Sequence, residues 1–187
     1  MEIFITSFLT VFLAELGDKT QLVSLTLASR YPPRHVFLGA MSGLFLVLAL
    51  AVAAGEIVAN LIPPATLSLV SGIFFIFIGI LNYFQQEECG EVCSTGCSAF
   101  LQSFGLIFLA ELGDKTQLTA MLLSATYRAP LLVLVGAMCA QALNHGFAVF
   151  VGKRYLSRLP RRYLKLSAAV LFVVIGFFII MSSFLFC

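Results

Sequence analysis

The chain has 187 residues, of which 60% are hydrophobic and 11% are charged. A soluble domain carries about 25% charged residues, so this composition excludes a soluble globular protein and indicates an integral membrane protein. The formal net charge of +2 does not indicate a nucleic-acid partner, and we expect membrane lipid to surround the chain.

The apolar stretches of the chain are long and continuous. A helix needs about 20 apolar residues to cross the hydrocarbon core of a bilayer. Barrel strands would instead alternate in shorter segments, so the predicted fold class is an all-α integral membrane protein. Proline, arginine and acidic clusters divide the chain into six predicted transmembrane helices, near residues 3–29, 36–59, 67–85, 100–126, 131–151 and 164–186.

Basic residues indicate the side of the membrane on which each short loop lies, because cytoplasmic loops are enriched in lysine and arginine. The side opposite to the two basic connections holds only Arg128. We therefore expect both termini outside and the central loop 86–99 in the cytoplasm, within the bacterial inner (plasma) membrane or a related internal membrane. The two basic connections, between spans 1 and 2 and between spans 5 and 6, hold Arg30, Arg34, Lys153, Arg154, Arg158, Arg161, Arg162 and Lys165.

The central loop 86–99 is acidic and contains Cys89, Cys93 and Cys97. A reducing cytoplasm disfavours a disulfide framework, and the C-x3-C-x3-C spacing is not one of the usual zinc patterns. Two interpretations remain open for this segment. Its thiols and glutamates form a soft metal site, or the segment is a flexible loop without a function of its own.

An eleven-residue sequence at 12–22 recurs without a change at 108–118. The similarity continues beyond it, since residues 39–41 are repeated at 136–138 after one inserted residue. The chain is therefore predicted to be duplicated, with a first three-helix repeat at 1–85 and a second at 100–187. An odd number of spans in each repeat inverts the second repeat relative to the first, which is the architecture of many secondary transporters.

Each copy of the repeated sequence places two carboxylates and a lysine inside a predicted membrane helix, where charge is costly and usually functional. On a regular helix Glu15, Asp18 and Lys19 share one face, with Gln21 beside them, whereas Thr20 points elsewhere. The second copy predicts the same arrangement with Glu111, Asp114, Lys115, Gln117 and Thr116.

The charges of the two copies are not balanced. Four carboxylates and two ammonium groups sum to −2 when all are ionised, and one divalent cation would neutralise them. Oxygen ligands suit hard cations such as Mn²⁺, Ca²⁺ or Mg²⁺. Crowded carboxylates also raise one another's affinity for protons, so protons and metal should compete for them. The predicted metal ligands are Glu15, Asp18, Glu111 and Asp114.

The fifth predicted span carries a polar face formed by Gln141, Asn144 and His145. These residues follow the i, i+3, i+4 spacing of one helix face. The matching positions of the second span are apolar, so the two repeats differ here. His145 is a candidate proton acceptor or additional ligand, although hydrogen bonds between membrane helices are an equally open interpretation for this face.

The doubled sequence Glu-x-Gly-Asp-Lys-Thr, at 15–20 and 111–116, resembles the signature of uncharacterised protein family 0016, also called the Gdt1 family of cation transporters. The resemblance covers essentially the whole chain. It implies transport of Mn²⁺ and/or Ca²⁺ in exchange for protons. Residue by residue, it assigns the cation to Glu15, Asp18, Glu111 and Asp114, with Lys19, Thr20, Lys115 and Thr116 as motif partners.

We therefore expect a secondary active transporter that exports Mn²⁺, or Ca²⁺, from the cytoplasm in exchange for protons. No cofactor and no enzymatic activity are expected, and the sequence does not indicate an oligomeric state. The alternatives are a Ca²⁺/H⁺ antiporter, a passive divalent cation channel lined by the same acids, and a metal-dependent membrane enzyme. An enzyme is disfavoured because the chain lacks a nucleophile constellation, and an assembly protein because it would not need buried charge.

Overall fold

The computed structural model describes residues 1–16, 18–84, 98–150, 170 and 173–181. These residues form eight helices and no strand, so the all-α prediction is confirmed for this part of the chain. Cys89, Cys93 and Cys97 lie outside the described residues. The helices are α1 (Glu2–Glu15), α2 (Lys19–Arg30), α3 (Pro33–Leu61), α4 (Pro64–Phe84), α5 (Ala99–Glu111), α6 (Lys115–Tyr127), α7 (Pro130–Phe150) and α8 (173–181).

The repeated motif interrupts the helices that contain it. Helix α1 ends at Glu15 and α5 ends at Glu111. The residues that follow them have extended backbone, with ψ of 110° at Leu16 and 117° at Leu112. Gly113 has a φ of +79°, which glycine adopts at little cost and which a right-handed helix excludes. The prediction of one regular helix through each motif was therefore wrong, and predicted spans 1 and 4 are each two helices.

The outer surface of the described helices is apolar, whereas many buried side chains are polar. Leu50 on α3 and Leu131 on α7 are more than half exposed, while Thr10 and Ser24 are fully buried. A soluble protein would show the opposite distribution, so this surface fits contact with lipid. Among the described helices, α3 and α7 are long and apolar enough to cross a membrane, and Thr66–Phe77 and Ala99–Glu111 are shorter apolar segments.

Helices of one half of the chain pack on helices of the other half. Helix α3 packs against α5 and α6, and α7 packs against α1 and α2. Small residues allow the backbones to approach closely. A Cβ atom at Gly39 would lie 2.4 Å from the carbonyl oxygen of Phe100, and one at Gly136 would lie 2.8 Å from that of Phe4. These positions match in the two halves, so the two interfaces are built in the same way.

We predict that Gly55→Ala destabilises the protein by about 1–3 kcal/mol, the usual cost of overpacking. A Cβ at Gly55 would lie 2.3 Å from the carbonyl oxygen of Met121, and a backbone atom cannot move aside by changing rotamer. Gly105→Ala is the matched control, because no described atom lies within 4 Å of a Cβ built there. Thermal unfolding in detergent should show a loss of stability for Gly55→Ala alone. Equal effects of the two substitutions would contradict this packing.

Candidate metal centre

The two breaks bring motif carboxylates from both halves of the chain together. Oxygen atoms of Glu15, Asp18 and Asp114 lie within 4.8 Å of one another. Glu15 is the last residue of α1, and Asp114 immediately precedes α6 at its N-cap position. Glu111, the last residue of α5, is also buried. Three of the four predicted ligands can therefore contact a single cation, with the fourth at the adjoining helix end.

Threonines of the two motif copies connect these acids. The Thr116 hydroxyl donates a hydrogen bond to Glu15 Oε1, so the second copy contacts the first. The Thr20 hydroxyl lies 3.5 Å from Glu15 Oε2 and donates to it. The prediction that both threonines point away from the acids was wrong. Because the helix is broken between Glu15 and Thr20, the angle of 100° per residue does not relate their directions.

An ion pair also joins the two copies. Lys115 Nζ lies 2.8 Å from Asp18 Oδ2, and the two side chains are only 14% and 4% exposed. Such a short, buried contact is a charge-assisted hydrogen bond. The ammonium group thus neutralises part of the carboxylate charge in the cluster. The side chain of Lys19, its counterpart in the first copy, lies outside the described residues.

The predicted flanking glutamines lie in the first turns of α2 and α6. Gln117 Oε1 accepts a hydrogen bond of 2.7 Å from the backbone N–H of Gly113. This contact stabilises the break in the second copy and accounts for the amide oxygen of Gln117. Gln21 is buried on α2, one residue after Thr20. Gln117 therefore has a structural role at the turn of the second copy.

Four helix ends meet at the cluster. The carboxyl ends of α1 and α5 carry partial negative charge, which favours a cation nearby. The amino ends of α2 and α6 carry partial positive charge, and Asp18 and Asp114 immediately precede them. The backbone therefore supports an anionic cluster that attracts a cation.

The polar face of α7 lies across the break in the first copy. Asn144 Nδ2 donates a 3.0 Å hydrogen bond to the carbonyl oxygen of Phe12 on α1. His145 Nδ1 lies 2.8 Å from Ser24 Oγ on α2, and Gln141 is fully buried one turn earlier on α7. Ser24 was missed in the sequence analysis. Its position four residues after Thr20, with alanine at the matching position of the second copy, is the signal that could have revealed it.

Comparison with known proteins shows the family of the chain. The chain matches the family described as "Divalent cation/proton antiporter GDT1" over residues 3–89 and 99–185. It is 33% identical over 178 residues to the "Putative manganese exporter" of Vibrio cholerae, covering 94% of this chain and 89% of that protein. No solved structure matches it.

Plant proteins are also similar to the chain. "GDT1-like protein 3" of Arabidopsis thaliana is 29% identical over 196 residues, covering 90% of this chain and 67% of that protein. "GDT1-like protein 5" of Oryza sativa is 28% identical over 213 residues, covering 92% of this chain and 91% of that protein. The family and the named relative are transporters. The chain is therefore an integral membrane protein that belongs to the GDT1 family of divalent cation/proton antiporters.

Proposed function

We propose that this antiporter exports Mn²⁺ from the cytoplasm in exchange for protons, with Ca²⁺ as the alternative substrate. The observation that carries the proposal is the cluster of carboxylate oxygens from both motif copies, within 4.8 Å of one another. Glu15, Asp18, Glu111 and Asp114 are the proposed ligands. The name of the Vibrio cholerae relative supports manganese as the first cation to test.

The donor atoms of the cluster favour a hard divalent cation. Carboxylates and the hydroxyls of Thr20 and Thr116 supply oxygen, which Mn²⁺ and Ca²⁺ both accept. The Lys115 ammonium contributes one positive charge beside Asp18. With Lys19 of the first copy counted as well, the four carboxylates keep a charge of −2. A divalent cation neutralises this charge, and protons neutralise it when the cation leaves. Because both occupants depend on the same carboxylates, binding of one displaces the other.

We propose six spans arranged as two inverted repeats, 1–85 and 100–187, joined by the cytoplasmic loop 86–99, with both termini outside the bacterial inner membrane. The matching close contacts at Gly39 and Gly136 support this architecture. The helix breaks support it as well, because discontinuous helices at the repeat interface are typical of secondary transporters. Exchange of conformations between the repeats would open the acidic cluster to each side in turn.

Uptake of Mn²⁺ into proteoliposomes with an acidic lumen tests the function. Protons leaving the lumen should drive Mn²⁺ inward, and a protonophore that collapses the pH gradient should abolish accumulation. Vesicles without protein are the control, and the same assay with Ca²⁺ ranks the two cations. Downhill flux that does not respond to the proton gradient would indicate a passive channel. Absence of transport of both cations would refute the proposed function.

A further inference from the structure

The polar face of α7 contains buried atoms that its helix-packing contacts leave unused. Among the described residues, His145 Nε2, Asn144 Oδ1 and both amide atoms of Gln141 have no hydrogen-bond partner. All three side chains are at most 1% exposed. An unsatisfied buried polar group costs about 1–3 kcal/mol. Hydrogen bonding between helices therefore explains only part of this face, and a polar ligand would explain the rest.

This face adjoins the carboxylate cluster. The Asn144 side chain donates a hydrogen bond to the carbonyl oxygen of Phe12, which lies three residues before Glu15 on α1. The His145 imidazole is hydrogen-bonded to the hydroxyl of Ser24, which lies four residues after Thr20 on α2. The unused atoms thus lie on a helix that contacts both sides of the first break.

The contact with Ser24 also determines which imidazole nitrogen is available. When the Nδ1–H group donates to the serine oxygen, Nε2 carries no hydrogen and keeps its lone pair. Histidine ligands of metal ions are usually oriented in this way by a hydrogen bond at their other nitrogen. The 2.8 Å contact between His145 Nδ1 and Ser24 Oγ fits this arrangement.

We propose that His145 Nε2 and the amide oxygens of Gln141 and Asn144 form a second cation subsite, one that contains a nitrogen ligand and selects a first-row transition metal such as Mn²⁺ over Ca²⁺. This inference rests on the proposed transport function. Calcium takes oxygen ligands, so an imidazole nitrogen adds affinity for the transition metal and little for calcium. The carboxylate cluster binds both cations, and the α7 face distinguishes them.

The matching positions of the two repeats supply a matched variant. Leu48 and Ala120 hold the positions equivalent to His145 and Ser24, and both belong to the same apolar cluster. The double substitution Ser24→Ala/His145→Leu therefore copies a pair of residues that already packs in this protein. It removes the nitrogen ligand without leaving the serine hydroxyl unpaired.

Transport selectivity is the first measurement. In proteoliposomes, the double variant should show an apparent Mn²⁺ affinity lower by at least about tenfold, because loss of a group that only supports a metal ligand already costs about 10–100-fold. The Ca²⁺ affinity should change much less. Equal losses for both cations would indicate a structural role and overturn the subsite. A parent protein that transports neither cation would instead refute the proposed function, and a parent that does not favour Mn²⁺ would overturn the subsite alone.

Electron spin-echo modulation of bound Mn²⁺ is the second measurement, and it does not depend on transport. The chain has two histidines, and His35 is exposed near the start of α3. Nitrogen coupling to Mn²⁺ should appear in the parent and in the control His35→Gln, and disappear in Ser24→Ala/His145→Leu. Mn²⁺ bound without nitrogen coupling in the parent, or coupling retained in the double variant, would overturn the inference.

Discussion

Glu15→Gln should lower the initial rate of proton-driven Mn²⁺ uptake by about 100-fold or more. Replacing groups that only support a metal ligand already costs about 10–100-fold, and Glu15 is a proposed ligand. Its carboxylate is fully buried, receives a hydrogen bond from Thr116, and lies in the group with Asp18 and Asp114. Glutamine keeps the size of the side chain but loses the charge that would balance a cation.

Glu56→Gln is the control for the loss of a carboxylate. Glu56 is exposed on α3 and is not part of the described cluster. The Glu56→Gln variant should therefore take up Mn²⁺ at the rate of the parent protein. Glu111→Gln tests the equivalent acid of the second copy, and we expect a large loss there as well. Parent-like uptake by Glu15→Gln, at equal amounts of reconstituted protein, would show that the cation does not bind at this cluster.

Lys115→Met should destabilise the metal-free protein by about 3–5 kcal/mol, the usual cost of removing one partner from a buried ion pair. Asp18 would lose the ammonium group that lies 2.8 Å from its carboxylate. A bound cation then replaces the missing positive charge. Mn²⁺ should therefore bind this variant more tightly and raise its unfolding temperature more than it raises that of the parent.

Thermal unfolding in detergent, with and without Mn²⁺, measures both effects. Lys115→Arg is the matched control because it keeps a positive charge at the position, and its stability without metal should lie closer to the parent. If Lys115→Met is as stable as the parent without metal, the ion pair contributes little. An unchanged Mn²⁺-dependent shift would show that Lys115 does not compete with the cation for Asp18.

Glu15→Gln and Lys115→Met change the charge of the acidic cluster in opposite directions. Glu15→Gln removes negative charge that a cation needs, whereas Lys115→Met removes positive charge that substitutes for the cation. In the structure the ammonium of the second copy neutralises an acid of the first, so the metal-free cluster need not carry its full charge in a low dielectric. We infer that release of Asp18 by Lys115 accompanies cation binding.

The sequence alone was sufficient to predict the class of protein, its internal duplication and the candidate cation ligands. Apolar composition indicated a membrane protein, and the exact repeat of 12–22 at 108–118 indicated duplication and the acids that would bind a cation. Local periodicity also placed Gln141, Asn144 and His145 on one face of a helix. These features depend on residues near one another in the chain, or on identity between its halves.

Only the tertiary structure decided how the two motif copies meet. It showed the helix breaks after Glu15 and Glu111, the contact of Thr116 with Glu15, and the pairing of Lys115 with Asp18. Periodicity assumes an unbroken helix and relates residues within it. Contacts between residues about a hundred positions apart depend instead on how the two halves pack, where close glycine approaches bring α3 onto α5 and α7 onto α1. That packing makes one acidic cluster out of two repeated segments.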